Sequence, residues 1–465
     1  MPDSRRFLAL AEGRFGPMSS KTANACIRYI PETVVAVIDS TKAGQTAQEV
    51  LGFGGYIPVV ASLEEGLRHA PNALLVGVAP QGGRLPDAWH ALVAAAIEAG
   101  LDVWSGLHHF LGDDPELSAQ AAARGVTLHD FRRAPGDLPI AAGRTRALDA
   151  TIVLTVGSDC NIGKMTTQLQ LRDSLVARGR GAAFAATGQT GILIEGRGIA
   201  VDAVVADFIA GAAERLTIEA AEGAEIVLVE GQGSIVHPGY SGVTYGLIHG
   251  SVPHAFVLCT QPSRRTILNN DWVTIPSLTE LIRLHEAVAA PLRPARVIGI
   301  ALNTHDLSDA EARAAIDAAQ RETGLPVTDA VRYDPSPLTD AIIAFHEGRR
   351  NAPGDAARVD DPGRPVTGWV ANLRQSAQSG TRRAFVPPPP DDRPPTGTLA
   401  DSLPHPRPAS PEAVAEGCLC EIQILRGSPF EPDTRDRPVL RLERNCPLHG
   451  AQRPRGFTGL PPADP

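Results

Sequence analysis

One stretch constrains the fold of this chain more than any other: residues 151–167, which read TIVLTVGSDCNIGKMTT. Its first half is a run of apolar and β-branched residues, which is typical of a buried parallel strand. The run ends in a loop bounded by Gly157 and Gly163, followed by Lys164 and an amphipathic helix that begins near Met165. Such a loop points backbone N–H groups inward at a helix N-terminus, and the lysine adds a full positive charge. The stretch therefore predicts a phosphate-binding P-loop.

The predicted loop departs from the usual P-loop motif at two points. Five residues separate Gly157 from Gly163, one more than usual, and Met165 stands where the motif has the Ser or Thr that binds Mg²⁺. Thr166 comes one residue later, so a hydroxyl lies near the expected position. The residues predicted to hold a phosphate-bearing cofactor are Gly157, Ser158, Asp159, Cys160, Asn161, Ile162, Gly163, Lys164, Met165 and Thr166.

The composition is that of a globular protein with more than one domain. The chain has 465 residues, of which 43% are hydrophobic and 20% charged. A net charge of −9 gives no electrostatic reason to expect a nucleic acid partner. The 6 cysteines are scattered, which indicates a reducing compartment. Since no apolar run approaches the roughly 20 residues of a membrane span, we expect a cytoplasmic protein.

Residues 1–145 alternate strand and helix patterns and form the first predicted domain. The predicted strands are 33–38, 57–60, 73–78, 101–104 and 126–128. The predicted helices are 47–51, 62–68, 87–99 and 116–124. This alternation predicts a parallel α/β sheet with helices on both faces. Ligands of such sheets bind outside the carboxyl ends of the strands, where Lys42 and the pair His108 and His109 follow two of them.

Residues 146–350 form the second predicted domain, which contains the P-loop. A later apolar strand ends in Glu230, a Walker-B-like arrangement in which the acid orders Mg²⁺ or a nucleophile. His237 follows in a loop as a candidate general base. The strand that ends near residue 260 leads to Arg264 and Arg265, whose guanidinium groups can bind a carboxylate or phosphate. Asn303 ends a further strand, at the depth where a purine base would lie.

Several of these segments together resemble the DgcN family, formerly a domain of unknown function. They are the phosphate loop GSDCNIGKMTT, ATGQTGILIEG at 186–196, VDAVVADFIAGAAERL at 201–216, VEGQGSIVHPGYSGVTYGLIHGS at 229–251, GIALNT at 299–304, and AVIDSTKAGQTAQEVLG, GVAPQGGRLP and SGLHHFL in the first domain. The family includes D-glutamate N-acetyltransferases, which move an acetyl group from acetyl-CoA to the amine of D-glutamate. The resemblance implies a Rossmann-like N-terminal domain joined to a P-loop NTPase-like domain.

The second domain is also similar to dethiobiotin synthetase. That enzyme has the same glycine-to-glycine spacing in its phosphate loop, a VEG strand end like residues 229–231, and a late strand-end asparagine like Asn303. The chain departs from it at Met165, where the synthetase has threonine. This second resemblance implies ATP and Mg²⁺ as the alternative to acetyl-CoA.

Acetyl transfer is the first function that these features predict. The loop and Lys164 would hold the phosphates of acetyl-CoA, and Glu230 or His237 would take the proton of the substrate amine. Glycine N–H groups within 188–191 or 231–233 would form an oxyanion hole. The substrate would be D-glutamate or a related small acidic amino acid. The residues predicted to bind it are Lys42, Gln189, Thr190, Arg264 and Arg265.

The sequence leaves two alternative functions open. In an ATP-dependent kinase or ligase, Lys164 would hold the β and γ phosphates while Asp159, Glu230 and Thr166 organised Mg²⁺. In a regulator without turnover, the P-loop would bind a nucleotide as a switch. A homo-oligomer is plausible in each case.

The last part of the chain has a different composition. Residues 351–415 are rich in proline, arginine and aspartate, which predicts a disordered linker. Residues 416–452 regain β-forming residues and contain Cys418, Cys420, Cys446 and His449, which together offer the ligands of a structural Zn²⁺. A small Cys/His module is therefore predicted there, followed by a tail at 453–465.

Overall fold

The computed structural model describes residues 5–17, 19–78, 85–351, 421–425 and 437–441. Most of these residues belong to one compact unit, Met1–Gly380, which contains two parallel sheets of six strands each. The α/β class and the order of the two domains are thus as predicted. No helix among the described residues is long and apolar enough to cross a membrane.

The first sheet is organised around a strand near the N-terminus. Its strands are β1 Phe7–Leu10, β2 Val34–Ile38, β3 Val59–Val60, β4 Ala73–Val76, β5 Asp102–Ser105 and β6 Leu128–Asp130. They lie in the order β3-β2-β1-β4-β5-β6 with all neighbours parallel. This is the strand order of the Rossmann fold, so the Rossmann-like prediction is confirmed. The helices of the domain are α1 Lys21–Tyr29, α2 Ala47–Leu51, α3 Leu63–Leu67, α4 Asp87–Glu98 and α5 Pro115–Arg124.

The sequence prediction omits β1 and α1. The central strand β1 is completely buried but has only 4 residues, FLAL, and so short an apolar run carries no period. Helix α1 has 9 residues and buries the polar side chains of Thr22 and Asn24 along with its apolar ones. Asn24 is satisfied there because its side-chain amide donates to the backbone oxygen of Gly16 at 2.9 Å.

The second sheet has the P-loop strand near its middle. Its strands are β7 Thr151–Gly157, β8 Ala182–Ala185, β9 Ile226–Val229, β10 Ala255–Thr260, β13 Arg296–Leu302 and β14 Val327–Thr328. They lie in the order β14-β13-β10-β7-β9-β8, again with parallel neighbours. Every residue of β7 is buried, as expected for a parallel strand covered on both faces. A hairpin, β11 Thr266–Ile267 and β12 Asn270–Thr274, stands apart from this sheet.

Seven helices described in the second domain complete its α/β layers. They are α6 Lys164–Ala177, α7 Gln189–Glu195, α8 Ala206–Ala221, α9 Ser241–Ser251, α10 Leu278–Ala289, α11 Asp309–Thr323 and α12 Ser336–Asn351. Helices α10 and α11 each start with a capping box, Ser277 with Glu280 and Ser308 with Glu311, which fixes where they begin.

The two domains share a small apolar cluster beside the P-loop. It combines Ala25 and Tyr29 of α1 with residues of the second domain such as Met165, Leu169 and Phe184. This packing holds the N-terminus of α1 against the loop: the Lys21 Nζ donates to Asn161 Oδ1 at 3.3 Å. The P-loop therefore lies at the interface between the two domains.

The second compact unit, Thr381–Pro465, is described only at two strands. Strand β15 Glu421–Leu425 pairs antiparallel with β16 Arg437–Arg441. The predicted linker and the predicted zinc ligands Cys418, Cys420, Cys446 and His449 lie outside the described residues.

Candidate active site

The P-loop turns sharply between β7 and α6, and glycine is required at both of its ends. Gly163 has φ +98°, which L side chains rarely adopt, and a Cβ on Gly157 would lie 2.6 Å from Ile162 Cδ1. Asn161 also has a positive φ of 53°, a conformation that asparagine tolerates better than most residues. The first N–H groups of a helix lack partners within the helix, and such a turn is the usual setting for an anion site.

Lys164 supplies the full positive charge of this cradle. Its side chain folds back over the loop, and Nζ donates to the backbone oxygen of Asp159 at 2.6 Å. The residue is only 6% exposed, and burial lowers its pKa. An anion in the loop would therefore meet a poorly hydrated ammonium, which strengthens the attraction.

Both oxygens of the Asp159 carboxylate accept hydrogen bonds from the protein. Oδ1 accepts from the Cys160 N–H at 2.6 Å, and Oδ2 accepts from Arg264 Nη1 at 2.8 Å and the Leu268 N–H at 2.9 Å. Arg264 also donates to the Cys160 backbone oxygen and to Gln261 Oε1, each at 2.8 Å. Arg264 thus clamps the loop from the side of the β11–β12 hairpin. Its donors are used in this way, so the prediction that it binds a substrate carboxylate is not supported by the geometry.

The position of the usual Mg²⁺ ligand is apolar. Met165 is 9% exposed and packs with Leu169 and Phe184 in the interdomain cluster. Thr166 faces α1, where burial raises the pKa of Tyr29 and the side chains of Gln170 and Thr166 lower it. Neither side chain at the start of α6 therefore points a hydroxyl into the phosphate cradle.

Glu230 lies at the end of β9, beside the cradle and 5% exposed. Its Oε2 accepts two backbone hydrogen bonds, from Thr187 at 2.9 Å and Gly188 at 3.0 Å. Burial raises its pKa to about 7, and these two N–H groups lower it in part. Gly191 makes room for the carboxyl group, since a Cβ there would lie 2.6 Å from Oε2. Glu230 is therefore a buried acid that can exchange a proton near neutral pH.

His237 lies close to the loop, and its neutral ring can donate a hydrogen bond from Nε2. Its Nδ1 accepts from the Gly239 N–H at 3.0 Å, so the neutral ring carries its proton on Nε2. One of its ring nitrogens, a carboxylate oxygen of Asp159 and the sulfur of Cys160 lie within 4.8 Å of one another. Burial lowers the pKa of His237, which keeps the ring neutral. In this tautomer neither ring nitrogen of His237 has a lone pair available to take a proton.

Two of the N–H groups predicted for an oxyanion hole are used inside the protein. Gly188 donates to Glu230, and Gly231 donates to Thr155 Oγ1 at 2.9 Å. A Cβ on Gly231 would lie 1.7 Å from the Thr155 backbone oxygen, so this glycine serves the close approach of β7 and β9. The oxyanion-hole expectation is wrong for these two groups.

Lys21 of the first domain is a site residue that the sequence prediction missed. It reaches Asn161 in the loop. Its positive charge lowers the pKa of Glu230, which burial raises more strongly. It also lowers the pKa of Lys164, where burial has the larger effect in the same direction. Its distance of 140 residues from Asn161 along the chain explains the omission, because no local pattern reports such a contact.

A second polar cluster that the prediction missed bridges the domains farther along the interface. Arg132, only 4% exposed, follows β6 and contacts the carboxylate of Asp202 in the second domain. Its Nε donates to the Gly106 backbone oxygen at 2.8 Å and its Nη1 to His108 Nε2 at 2.9 Å. Burial lowers the pKa of His108, and the Arg132 charge lowers it further. The cluster is therefore a buried cation that faces one carboxylate and one neutral imidazole.

Residues 139–339 match the family model described as the P-loop domain of DUF1611, and residues 40–134 match the model of its Rossmann-like N-terminal domain. The chain belongs to the DUF1611 family. A crystal structure of a DUF1611 family protein from Anabaena variabilis is 41% identical with a TM-score of 0.71, and the match covers 73% of this chain and 100% of that one.

Two curated relatives of this DUF1611 chain carry a functional name. A protein of Tritonibacter scottomollicae named D-glutamate N-acetyltransferase is 41% identical over 288 residues, which is 61% of this chain and 84% of the relative. A protein of Pseudoalteromonas sp. with the same name is 36% identical over 284 residues, 61% of this chain and 83% of the relative. The resemblance to the DgcN family is thereby confirmed.

The remaining predicted site residues of this DUF1611 chain lie at different depths. Asn303 lies beside the loop, since its Nδ2 would be 3.8 Å from a Cβ on Gly163. Gln189 packs beside Gly106 of the first domain, and Thr190 is buried. Gln189 thus lies at the interface between the two domains.

Of the other predicted substrate-binding residues, one is exposed and one is ion-paired within the first domain. Arg265 is exposed, next to the Arg264 that clamps the loop. The contact that the structure gives Lys42 is an ion pair of 3.6 Å with Asp39 of the first domain. The first-domain lysine that donates to a P-loop residue is Lys21.

Proposed function

We propose that this protein is an N-acetyltransferase that transfers the acetyl group of acetyl-CoA to the amine of D-glutamate or a closely related acidic amino acid. The observation that carries this proposal is the set of donors around the P-loop. N–H groups and Lys164 are available for phosphates, whereas Met165 fills the metal-ligand position and the Asp159 carboxylate is taken by Arg264 and backbone N–H groups. The cradle therefore suits a phosphate-bearing cosubstrate whose chemistry needs no Mg²⁺.

Acetyl-CoA fits this set of groups. Coenzyme A contains a diphosphate. The Lys164 ammonium and the loop N–H groups other than those of Ser158 and Cys160, which are bonded within the protein, can bind it as they would bind a nucleotide diphosphate. Lys21, which reaches the loop from α1, adds a second positive charge. Once bound, acetyl-CoA supplies an activated thioester carbonyl. The two curated relatives are named for N-acetylation of D-glutamate, which supports an acetyl donor at this site.

Glu230 supplies the proton transfer that the reaction needs. The amine nitrogen of D-glutamate forms a C–N bond to the acetyl carbon, the C–S bond breaks, and coenzyme A leaves with the electron pair as a thiolate that solvent protonates. The ammonium form of the substrate first gives one proton to solvent, and the second proton, lost by the attacking amine, passes to the Glu230 carboxylate. A pKa of about 7 is suited to this work, because the carboxylate is both available and basic near neutral pH.

The ATP-dependent alternative receives less support from the same residues. Its three proposed Mg²⁺ ligands are otherwise engaged: Asp159 with Arg264, Glu230 with two backbone N–H groups, and Thr166 on the side of α1. Acetyl transfer and ATP-dependent ligation are therefore distinguished by metal dependence.

The test is a turnover assay on the purified full-length chain. Acetyl-CoA and D-glutamate are incubated with EDTA, and the free thiol of coenzyme A and N-acetylglutamate are measured, with L-glutamate in parallel. We expect one thiol per acetylated product and a loss of about 100-fold in kcat/KM in Lys164→Ala. Lys42→Ala serves as the matched control and should retain activity. Formation of ADP from ATP and Mg²⁺ with no acetylated product would overturn the proposal.

A further inference from the structure

The interdomain cluster around Arg132 contains a carboxylate oxygen that has no internal partner. Arg132 contacts Asp202 Oδ2, whereas Asp202 Oδ1 is buried and has no hydrogen-bond donor among the residues that the structure describes. A buried acceptor left unpaired is costly, and native proteins seldom keep one without a use. Asp202 Oδ1 is therefore ready to accept a hydrogen bond from a ligand.

The backbone connects this oxygen to the proposed base. Val201 donates its N–H to the Thr187 backbone oxygen at 2.9 Å, and Thr187 donates its own N–H to Glu230 Oε2 at the same distance. Asp202 is the next residue after Val201, so these two backbone hydrogen bonds connect its position to the Glu230 carboxyl group. In agreement, the Asp202 charge adds to the effect of burial in raising the pKa of Glu230.

Positive charges lie on the first-domain side of the same two acids. Arg132 is buried against Asp202, and Lys21, which donates to Asn161 of the P-loop, lowers the pKa of Glu230 by its charge. Two acids that face two cations match an α-amino dicarboxylic acid, whose ammonium needs an acceptor and whose carboxylates need cations.

We propose that Asp202 Oδ1 accepts a hydrogen bond from the ammonium of an acidic amino acid and holds its nitrogen beside Glu230. Arg132 binds a carboxylate of the same molecule through Nη2, which donates no hydrogen bond among the described residues, whereas its Nε and Nη1 are engaged by Gly106, His108 and Asp202. This assignment rests on the proposed acetyltransferase function and goes beyond it, because it names the residues that select an amino acid over a plain dicarboxylic acid. Asp202 contacts substrate in this arrangement, and Arg132 also positions Asp202.

Binding of paired ligands by titration calorimetry tests the assignment. D-Glutamate and glutarate both carry two carboxylates, but only D-glutamate has the ammonium. We expect the wild-type chain to bind D-glutamate at least about 10-fold more tightly than glutarate, which is the range for a charged hydrogen bond. In Asp202→Asn the two affinities should come within about 3-fold of each other, while the Kd of acetyl-CoA stays unchanged.

Asp207→Asn is the matched control. Asp207 is exposed on the first turn of α8, five positions from Asp202, and its substitution makes the same change of charge. It should leave the ratio of the two affinities at the wild-type value. Asp202→Glu, which keeps the charge for Arg132, is the second variant should Asp202→Asn fail to fold, and it should keep a preference for D-glutamate.

The outcomes separate this assignment from the proposed function. If the wild-type chain acetylates D-glutamate yet binds glutarate equally well, the assignment fails and the function stands. It also fails if Asp202→Asn weakens both ligands alike and lowers the melting temperature, because that pattern belongs to a purely structural ion pair. A wild-type chain that neither binds nor acetylates D-glutamate overturns both.

Discussion

Glu230 is the residue to which the proposed acetyl transfer assigns the proton transfer. Its carboxyl group is buried at the end of β9 and receives N–H groups from Thr187 and Gly188 on one oxygen only. Desolvation outweighs these hydrogen bonds, so its pKa is raised to about 7. A strongly shifted acid beside a phosphate cradle is a common sign of an active site.

The first prediction concerns the pH dependence of Glu230→Gln. In the wild-type chain kcat/KM should rise with pH through about 7, because the base must be deprotonated. The variant should lose about 100-fold or more in kcat/KM and should lack that rise. A pH–rate profile of the two proteins measures both effects, with the exposed Glu222→Gln as control. A wild-type profile kept by the variant would contradict the role of Glu230.

The second prediction concerns stability at the same residue. The folded state holds the Glu230 proton more tightly than the unfolded chain does. The contribution of Glu230 to the free energy of unfolding of the wild-type chain therefore falls as pH rises from about 4.5 to about 7. Glu230→Gln removes this penalty and should unfold at a higher temperature than wild type at pH 8, with the gap closing near pH 4. Thermal unfolding at both pH values measures it. A variant less stable than wild type at pH 8 would show that the charge is not penalised.

The third prediction concerns Lys21. Lys21→Ala removes a positive charge that the first domain contributes to the loop and to Glu230, so acetyl-CoA should bind about 10-fold more weakly. The pH at which kcat/KM rises should move upward, because Lys21 lowers the pKa of Glu230. Titration calorimetry and a pH–rate profile report the two changes, and Lys42→Ala should show neither. An unchanged acetyl-CoA affinity would remove Lys21 from the site.

At the scale of elements, helix α6 divides the roles of two adjacent residues. Consecutive helical side chains point about 100° apart, so Lys164 faces the cradle while Met165 packs against Leu169 and Phe184. The methionine position that departs from the usual motif is thus used for domain packing.

The fourth prediction follows from this division. Met165→Thr restores the residue of the usual motif but should cost about 2 kcal/mol of stability through lost packing. It should not create Mg²⁺-dependent ATP binding, because the side chain points into the interdomain cluster. Urea unfolding and calorimetry with ATP and Mg²⁺ are the measurements, and Met165→Leu is the volume-matched control. Tight Mg²⁺-dependent ATP binding by Met165→Thr would contradict the orientation described here.

At the scale of the whole molecule, the site exists only where the two domains meet. The P-loop, Glu230 and Asp202 belong to the second domain, and Lys21 and Arg132 to the first. The linker between the domains is fixed to α8, where buried Glu214 accepts from the Ala142 N–H at 3.0 Å and the Arg144 N–H at 2.8 Å.

The fifth prediction concerns this linker. Gly211 of α8 lies directly under it, and a Cβ there would be 1.6 Å from the Pro139 backbone oxygen. Gly211→Ala should therefore lift the linker and destabilise the protein by more than about 2 kcal/mol, although alanine favours helices. Gly242→Ala in α9, where the added methyl meets nothing within 4 Å, should be neutral or stabilising. Chemical denaturation of both variants measures the two changes in the free energy of unfolding.

The sequence predicts the parts of the molecule that depend on local patterns. The β7–loop–α6 unit, the strand end at Glu230 and the two-domain α/β class follow from apolar runs and glycine spacing. The partners of the site residues do not, because hydrogen bonds such as Lys21 to Asn161 join segments 140 residues apart. For the same reason Arg264 could be placed near a phosphate from its sequence context, but its pairing with Asp159 required the structure.

The most direct test of acetyl-CoA as the ligand of the P-loop is titration calorimetry of the full-length chain with acetyl-CoA, in EDTA and in Mg²⁺. We expect binding with the same Kd in both buffers, since the cradle offers N–H groups and Lys164 rather than metal ligands. ATP in the same two buffers is the comparison. Binding of ATP only in Mg²⁺, with no heat from acetyl-CoA in either buffer, would contradict the acetyltransferase assignment.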